Sequence, residues 1–336
     1  MGWVILFFLA LSLYLYCLLG GADFGVGVHE WFISPKHKRE HEDIVKEAIG
    51  PVWEANHMWL IIMVVILFVG FPKIYAQVSI YLHIPMTLML IGIILRGCAF
   101  SFRHYDSVED GSRKYYSLIF SLSSFLTPIM LGVIIGALML GRIPPVPDGY
   151  FHTYVAPWLN LFSFSVGFFV LTIFVFIAGV FMIGEATIGE FREKYIKRAK
   201  IAHIIMILAG AFVFVAAHFD GLHLLPKFIS HPAALTAMVA ATLSHLVLWW
   251  LFEVGFAWRL RILTGFQLFM VIAAWMSLIF PNALFYADGT TLSFLNSFAP
   301  PKTLAMLGWA LIIGTFIFLP LLGYLFFIFK RTKSSG

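Results

Sequence analysis

The chain has 336 residues, of which 61% are apolar and only 12% charged, and its mean hydropathy is +0.93. Soluble domains carry about 25% charged residues, so this composition excludes an ordinary soluble protein and predicts a chain solvated largely by lipid. The net charge of +5 comes from basic residues in short loops, without a basic stripe or a recognition module, which argues against nucleic acid as a partner.

Nine apolar stretches are each long enough to cross about 30 Å of hydrocarbon. They are predicted at Trp3–Ala22, Pro51–Phe71, Val78–Phe102, Tyr115–Leu140, Ala156–Gly184, Ile201–Ala217, Pro232–Phe252, Ile262–Tyr286 and Thr303–Phe329. The first stretch lacks a basic leader and a small-residue cleavage site, and it is interpreted as an uncleaved span. The connecting loops are too short for a soluble domain, so the predicted fold class is an all-α integral membrane protein.

The basic residues divide unequally between the two sides of the membrane if the spans alternate in direction. With the N-terminus outside, 18 of the 22 lysines and arginines lie in inner loops or at inner span ends. The other four are Lys73, Arg142, Lys227 and Lys302. Cytoplasmic loops carry an excess of Lys and Arg, which predicts an outside N-terminus and an inside C-terminus. The Ser34–Gly50 loop and the Lys330–Gly336 tail are then cytoplasmic.

The ends of corresponding spans resemble each other. Gly21–Gly25 is similar to Gly184–Gly189, and Gly97–Arg103 is similar to Val254–Arg259. A repeat of two four-helix units would explain both similarities, with unit one at 1–140, unit two at 141–286, and a ninth helix with a tail at 287–336. The alternative is that helix ends on the basic side of the membrane simply favour glycine and charge.

Several ionisable residues fall at or near the inner ends of spans, where each is costly unless it is paired, hydrated or interfacial. These residues are Asp23, Glu54, His57, Arg96, Arg103, Glu185, His203 and Glu253. One interpretation is a belt of interfacial ion pairs, in which the basic side chains extend towards water. The other interpretation is a site that binds and transfers protons.

The second span is the most informative of these segments. Glu54 and His57 are three residues apart and share one helix face, while Trp53 and Asn56 share the neighbouring face. A carboxylate and an imidazole that are both partly buried can relay protons near neutral pH. The alternative is that Glu54 complements the positive helix N-terminus and His57 is a satisfied interhelical histidine. Glu-x-x-His is also half of a di-iron carboxylate motif, but the sequence holds no second copy, so no metal is predicted.

The sequence gives only weak support for haem ligation, cysteine chemistry or nucleophilic catalysis. Two histidines, His83 and His218, lie towards the outer ends of their spans and could in principle ligate a haem, although nothing in the sequence places them opposite each other. Cys17 and Cys98 both lie in apolar segments and predict neither a disulfide nor a metal site. The sequence contains no nucleotide-binding loop and no nucleophilic triad.

Four motifs in the first 103 residues resemble subunit II of the cytochrome bd-type quinol oxidases. They are Gly21–Gly27 (Gly-Ala-Asp-Phe-Gly-Val-Gly), Pro51–Leu60 (Pro-Val-Trp-Glu-Ala-Asn-His-Met-Trp-Leu), Phe71–Tyr75 and Leu95–Phe100, in the family's order. The remaining two-thirds of the chain is similar through hydropathy and helix count alone. Some members of the family have Asp in place of Glu54 and Gln in place of His57. The residue at position 54 is therefore acidic in both cases, whereas the role of His57 is open.

The resemblance implies a fold of two four-helix bundles with one peripheral helix, in a bacterial or archaeal cell membrane. It implies a homologous partner, subunit I, which ligates two b-type haems and one d-type haem, and it allows for a small single-helix subunit. The complex would oxidise quinol, reduce dioxygen to water and take the protons from the cytoplasm, as an electrogenic quinol:dioxygen oxidoreductase. This chain would not be catalytic alone and would ligate no cofactor; whether it binds a quinone is open.

These arguments together predict a proton pathway formed by Glu54, His57 and Asp23. Arg96, Arg103, Trp53 and Asn56 are predicted to support it by pairing and packing. Two other functions stay open at this point. A secondary transporter would be compatible with the repeat, and an autonomous haem protein would make use of the histidines.

Overall fold

The computed structural model describes residues 1–34, 37–50, 53–105, 113–186 and 190–332. The helices are α1 Gly2–Leu15, a π-helical segment Tyr16–Gly20, α2 Gly21–His29, a 3-10 turn Glu30–Phe32, α3 Lys38–Ile49, α4 Trp53–Gly70, α5 Pro72–Tyr81, α6 His83–Tyr105, α7 Arg113–Leu140, α8 Tyr150–Tyr154, α9 Leu161–Glu185, α10 Glu190–Phe219, α11 Leu224–Ser230, α12 Pro232–Val254, α13 Ala257–Ile279 and α14 Pro301–Thr332. Two short strands, β1 Asn282–Phe285 and β2 Thr291–Ser293, pair antiparallel, with Asn282 opposite Ser293.

Within the described ranges, nine helical segments are long and apolar enough to cross a membrane. They are Gly2–Phe32, Trp53–Gly70, His83–Arg103, Arg113–Leu140, Leu161–Glu185, Arg192–Phe219, Pro232–Val254, Ala257–Ile279 and Pro301–Phe318. These segments correspond one to one with the nine predicted spans. The predicted fold class, an all-α multi-pass membrane protein, is therefore confirmed.

The spans alternate between two ends of the bundle. The hairpin end carries β1 and β2, and there Trp3 packs against Phe280 while the amide of Ala299 donates to the backbone oxygen of Gly70 at 2.9 Å. The opposite end carries α3 and most of the lysines and arginines, and it is called the basic end below.

Helix α9 lies at the centre of the molecule and packs against α2, α7, α10 and α13. In α7 and α9, 67% of the most apolar stretch is buried, whereas in α14 only 11% is buried. The last helix is thus peripheral in this chain. The proposed boundary between two units at residue 140 separates α7 from α9, which pack along each other, and the division into units stays a prediction.

Capping residues explain several helix boundaries. The side chain of Asn160 accepts from the amide of Ser163 at 2.8 Å and starts α9. Helix α12 begins with Pro232, whose missing N–H costs nothing in a first turn, and ends at Gly255, which has a left-handed φ of 79°.

Several predicted span boundaries are wrong; the sixth span, for example, begins at Arg192, nine residues before the predicted Ile201. The first span continues ten residues past the predicted end at Ala22, to Phe32, because its Gly-rich continuation packs helically against α9. The eighth span ends at Ile279 instead of Tyr286, because Pro281 cannot continue a helix and the apolar residues after it form β1. The third span begins at His83 instead of Val78, since the chain breaks at Leu82 after α5.

The segment Ser34–Gly50, predicted only as a loop, contains the amphipathic helix α3. Its residues His41 and Val45, one helical turn apart, are both fully buried, whereas Glu40 is exposed. Pro51 and Val52, the predicted start of the second span, lie outside the described residues.

Candidate functional site

Four of the predicted polar residues meet in the interior of the bundle around Arg96 on α6. Arg96 is only 1% exposed, and its Nη2 donates to the backbone oxygen of Asp23 at 2.9 Å. The side-chain Nδ2 of Asn56 donates to Oδ2 of Asp23, also at 2.9 Å. Nη1 of Arg96 lies 3.3 Å from Nε2 of His57. The structure therefore brings together Asp23 from the first span, Asn56 and His57 from the second and Arg96 from the third.

The contact with Arg96 sets the tautomer of His57. An arginine only donates, so Nε2 of His57 accepts, and the proton of the ring is on Nδ1. Nδ1 is buried and has no hydrogen-bond partner among the described residues. The rings of Tyr16, Phe24 and Trp53 surround the imidazole at centroid distances of 5.7 to 6.2 Å. The site thus holds an imidazole N–H that is free to donate.

Aromatic rings also support the buried arginine. The guanidinium of Arg96 lies 4.9 Å from the ring centroid of Phe24 and 5.3 Å from that of Phe120. Such contacts stabilise a desolvated cation, and the backbone oxygen of Asp23 accepts from its Nη2. A buried charge without such partners would be strongly unfavourable.

A second buried ion pair lies closer to the basic end. Nη1 of Arg103 donates to Oε1 of Glu30 at 2.6 Å, and both side chains are at most 2% exposed. The guanidinium of Arg103 also contacts the ring of Phe120 at 4.5 Å. Arg103 was predicted to support the pathway of Glu54, His57 and Asp23; its hydrogen-bonded partner is Glu30, a residue that the sequence did not single out.

The sequence did contain a signal for this pair. Seven residues separate Asp23 from Glu30, and seven also separate Arg96 from Arg103. The first and third spans run in the same direction, and seven helical residues rise about 10 Å. If Asp23 and Arg96 lie at the same depth, Glu30 and Arg103 therefore also lie at the same depth. Two acids and two arginines with one common spacing therefore indicate two stacked pairs.

The structure does not place Glu54 in the Asp23 cluster. Its side chain is exposed on the surface of the chain, and among the described residues it makes no hydrogen bond or ion pair. His57, three residues later, faces inwards instead. On this helix it is Asn56 that reaches the carboxylate of Asp23, with Trp53 packed beside the imidazole of His57.

Helix α3 adds polar contacts that the sequence analysis also missed. Nδ1 of His41 lies 2.6 Å from the hydroxyl oxygen of Tyr195 on α10. Burial lowers the pKa of His41 to about 3, so its ring is neutral at physiological pH. Glu42 accepts from Nη2 of Arg113 at 2.8 Å. The spacing of His41 and Val45, one turn apart between charged residues, is the signal that could have identified α3 as a packed helix.

Two other acids near the basic end form pairs of the interfacial kind. Glu185 accepts from Nη2 of Arg261 at 2.9 Å, and Glu253 pairs with Lys200. The side chain of Glu253 is 72% exposed and that of Glu185 is 29% exposed. These contacts agree with the interpretation of an interfacial belt for these two residues.

The two histidines considered for haem ligation have different neighbours. Nδ1 of His83 lies 2.9 Å from the backbone oxygen of Ile80, and its ring contacts Tyr154. The ring of His218 contacts His223. Across the described ranges, no three His, Cys, Asp or Glu side chains are grouped closely enough to hold a metal ion.

Comparison with known proteins then decides the family. The family model described as cytochrome bd terminal oxidase subunit II matches residues 1–329 of this chain. The chain belongs to this family. The prediction from the four motifs is confirmed, and no comparison favours a transporter.

Individual members of the subunit II family are distant in sequence. Cytochrome bd ubiquinol oxidase subunit 2 from Bacillus subtilis (strain 168) is 30% identical over 205 residues, which are 60% of this chain and 58% of the relative. Cytochrome bd-I ubiquinol oxidase subunit 2 from Escherichia coli (strain K12) is 26% identical over 227 residues, 65% of this chain and 58% of the relative. The matched stretch thus spans less than two thirds of either relative.

The fold is shared over a greater length than the sequence. A chain of the bd oxidase from Geobacillus thermodenitrificans superimposes with a TM-score of 0.77, covering 97% of this chain and 98% of that chain at 20% identity. At this identity the likeness shows that the two chains have the same fold.

Proposed function

We propose that this chain is the second membrane subunit of a terminal oxidase that oxidises quinol and reduces dioxygen to water. The observation that carries the proposal is the family match over residues 1–329. The names of the relatives, which describe subunits of ubiquinol oxidases, support it. The chemistry would take place on a partner, subunit I, with two b-type haems and one d-type haem, and a small single-helix subunit would complete the assembly.

The proposed contribution of this chain is assembly and proton access. Reduction of one dioxygen to two waters consumes four protons and four electrons, and the protons must cross protein of low dielectric constant. The buried cluster of Asp23, Asn56, His57 and Arg96 supports this role because it holds a carboxylate and a free imidazole N–H inside the bundle. Glu54 would lie on this route or at its end, at the cytoplasmic side of the bundle.

The proposed orientation has the basic end in the cytoplasm, the N-terminus outside and the C-terminus inside. It rests on the 18 basic residues near one side of the membrane and the four near the other. In this orientation the Asp23 cluster and the Glu30–Arg103 pair both lie between the bilayer centre and the cytoplasm, where protons for dioxygen reduction would be taken up.

Expression with and without the partner tests the proposed function. We expect the chain to co-purify with a larger haem-bearing membrane subunit, and the complex to consume dioxygen when given quinol. Expressed alone, the chain should be colourless or poorly assembled. Stoichiometric haem in the isolated chain, lost on His83→Ala or His218→Ala substitution, would instead identify an autonomous haem protein.

A further inference from the structure

The connection between α10 and α11 at the hairpin end carries two histidines, called the histidine pair below. His218 lies in the last turn of α10, and His223 directly precedes α11. Both residues are exposed, their ring centroids are 5.6 Å apart, and their ring planes are inclined by 67°. Within the described part of the chain, neither ring forms a hydrogen bond or an ion pair. The ring nitrogens of the histidine pair are therefore available to a ligand from solution.

The separation of the two rings fits coordination of one metal ion. An imidazole nitrogen binds Zn²⁺ at about 2.0–2.1 Å in tetrahedral geometry. Because the centre of an imidazole ring lies about 1.1 Å from each ring atom, two imidazoles on one tetrahedral ion have their centroids about 5.2 Å apart. The observed distance of 5.6 Å differs from this value by about 0.4 Å. Both side chains are exposed and can rotate to direct one nitrogen of each ring towards a shared ion.

Hydrogen bonds hold this connection in place. Asp220, which lies between the two histidines, accepts from Nη2 of Arg142 and from the backbone amide of Phe162, both at 2.7 Å. These contacts tie the end of α10 to the first turn of α9. The amide of Gly221 donates to the backbone oxygen of His218 at 3.1 Å. Preorganised ligands lose little conformational entropy on binding, so a fixed connection favours an ion that bridges the histidine pair.

The backbone of His223 is held in an unfavourable conformation. Its φ of 45° and ψ of 49° are left-handed, and it is the one non-glycine residue with a positive φ in the ranges that the structure describes. Glycine adopts this conformation freely because it has no Cβ atom, whereas a residue with a side chain is disfavoured there. Strained residues of this kind cluster at ligand sites. At this position a histidine places an imidazole beside that of His218, where glycine would offer no ligand atom.

We propose that His218 and His223 bind a divalent transition-metal ion, with water in the remaining coordination positions. Imidazole nitrogen suits Cu²⁺, Ni²⁺ and Zn²⁺, and among these Cu²⁺ binds most tightly, whereas Mg²⁺ and Ca²⁺ prefer oxygen ligands. No third His, Cys, Asp or Glu of the described chain groups with the pair. A closed structural zinc site takes four protein ligands, so this site exchanges its ion with the solution. The ion connects the end of α10 to the start of α11, on the side that the proposed orientation places outside the cell.

Titration of the purified complex with Cu²⁺ tests the proposal. The complex is isolated through an affinity tag without histidines, and Cu²⁺ binding is followed by electron paramagnetic resonance. We expect the first Cu²⁺ bound to each complex to show coupling to two nitrogen nuclei. Zn²⁺ should displace this Cu²⁺, and Mg²⁺ at the same concentration should not. A first-bound Cu²⁺ that is displaced equally by Mg²⁺ would overturn the proposal.

Two variants and a matched control assign the bound ion to the histidine pair. His218→Ala and His223→Gly should each weaken Cu²⁺ binding at least tenfold and remove the two-nitrogen coupling. Because glycine relieves the left-handed backbone, the unfolding temperature of His223→Gly without metal should equal or exceed that of the unchanged protein, which separates loss of the ligand from loss of the fold. The control is His152→Ala, which removes an exposed histidine of α8 at the same end and should bind Cu²⁺ normally. Two-nitrogen coupling that persists in His223→Gly, or is lost equally in His152→Ala, would overturn the proposal. Metal binding does not depend on oxidase turnover, so its outcome is independent of the proposed function.

Discussion

The environment of Glu54 would change if a partner chain covered it. In this chain its side chain is exposed near the start of a membrane span, where a carboxylate facing lipid would be costly. A neighbouring subunit that covers Glu54 would remove that cost and would bring the carboxylate to the interface between the two chains. The exposed position is therefore compatible with a proton route that crosses from this chain to a haem-bearing partner.

Substitution of Glu54 by glutamine tests this route. Glutamine keeps the shape and most of the hydrogen bonding but cannot relay a proton. We expect a complex with normal haem content in which quinol-dependent dioxygen consumption falls several-fold or more. Glu253→Gln is the matched control, because Glu253 is an exposed acid at the same end that pairs with Lys200. Turnover of Glu54→Gln close to that of the control would remove Glu54 from the obligatory route.

The Glu30–Arg103 pair gives a prediction for stability. Arg103→Met leaves the carboxylate of Glu30 buried without its partner, which typically destabilises by about 3–5 kcal/mol. The thermal unfolding temperature of the purified protein should fall clearly. In the control Lys200→Met, the carboxylate that loses its partner belongs to Glu253, whose side chain is 72% exposed, and exposed pairs contribute about 0–1 kcal/mol.

The double variant Glu30→Gln/Arg103→Met completes this comparison. It removes both charges, and its unfolding temperature should recover much of the loss seen in Arg103→Met alone. If Arg103→Met were no less stable than Lys200→Met, the buried pair would not contribute as its geometry indicates.

At the scale of single elements, the close approach of α2 and α9 depends on the absence of a side chain. A Cβ atom added to Gly25 would overlap the backbone oxygen of Phe174 and would lie 2.6 Å from the Cβ of Ala178. Backbone atoms cannot move aside as a flexible side chain can. Glycine at this position therefore allows the first span to contact the central helix, and this contact positions Asp23.

Gly25→Ala should therefore force α2 away from α9 and lower both the yield of folded protein and its unfolding temperature. Gly314→Ala in α14 is the control, since nothing lies within 4 Å of a Cβ there and alanine favours a helix by about 1 kcal/mol over glycine. Stability of Gly25→Ala equal to that of Gly314→Ala would contradict the packing described for α2.

Hydropathy predicted the spans well because each apolar helix must be long enough to cross the hydrocarbon. It failed where tertiary contacts determine the secondary structure. Residues 283–285 are apolar, yet they belong to a strand after Pro281. The continuation of the first span from Asp23 to Phe32 carries two buried acids and two glycines, and its helical state depends on packing against α9 and on the arginines of α6.

At the scale of the whole molecule, the topology proposal predicts opposite exposure of the two ends. Glu40 on α3 and Ala287 in the hairpin are both exposed, and each can be replaced by cysteine after Cys98, an exposed free cysteine, is changed to serine. A maleimide that does not cross membranes should label Ala287→Cys in intact cells and Glu40→Cys only after permeabilisation. The reverse pattern would invert the proposed orientation.

Composition and charge could predict the membrane fold and the number of spans, because both depend on sums over many residues. The candidate site was predictable only in part. The cost of burying Asp23, Arg96 and Arg103 identified them from the sequence. The common spacing of seven residues indicates the pairing of Arg103 with Glu30 only if the first and third spans lie at the same depth. A cavity of about 360 Å³ lined by Gln267 has no signal in the sequence, since it arises where α9, α10, α12 and α13 leave space between them.

The π-helical segment Tyr16–Gly20 has a consequence for the residues that follow it. A π-helical turn holds about one more residue than an α-helical turn, so it rotates the rest of the span by roughly a quarter of a turn relative to a regular α-helix. Asp23, which accepts from Asn56, lies three residues after this segment. Deleting a single residue between Tyr16 and Gly20 would restore regular α-helical phase and swing the carboxylate of Asp23 away from Asn56, while leaving the length and hydropathy of the span almost unchanged. The direction in which Asp23 projects from the helix axis is thus set by the five residues that precede Gly21.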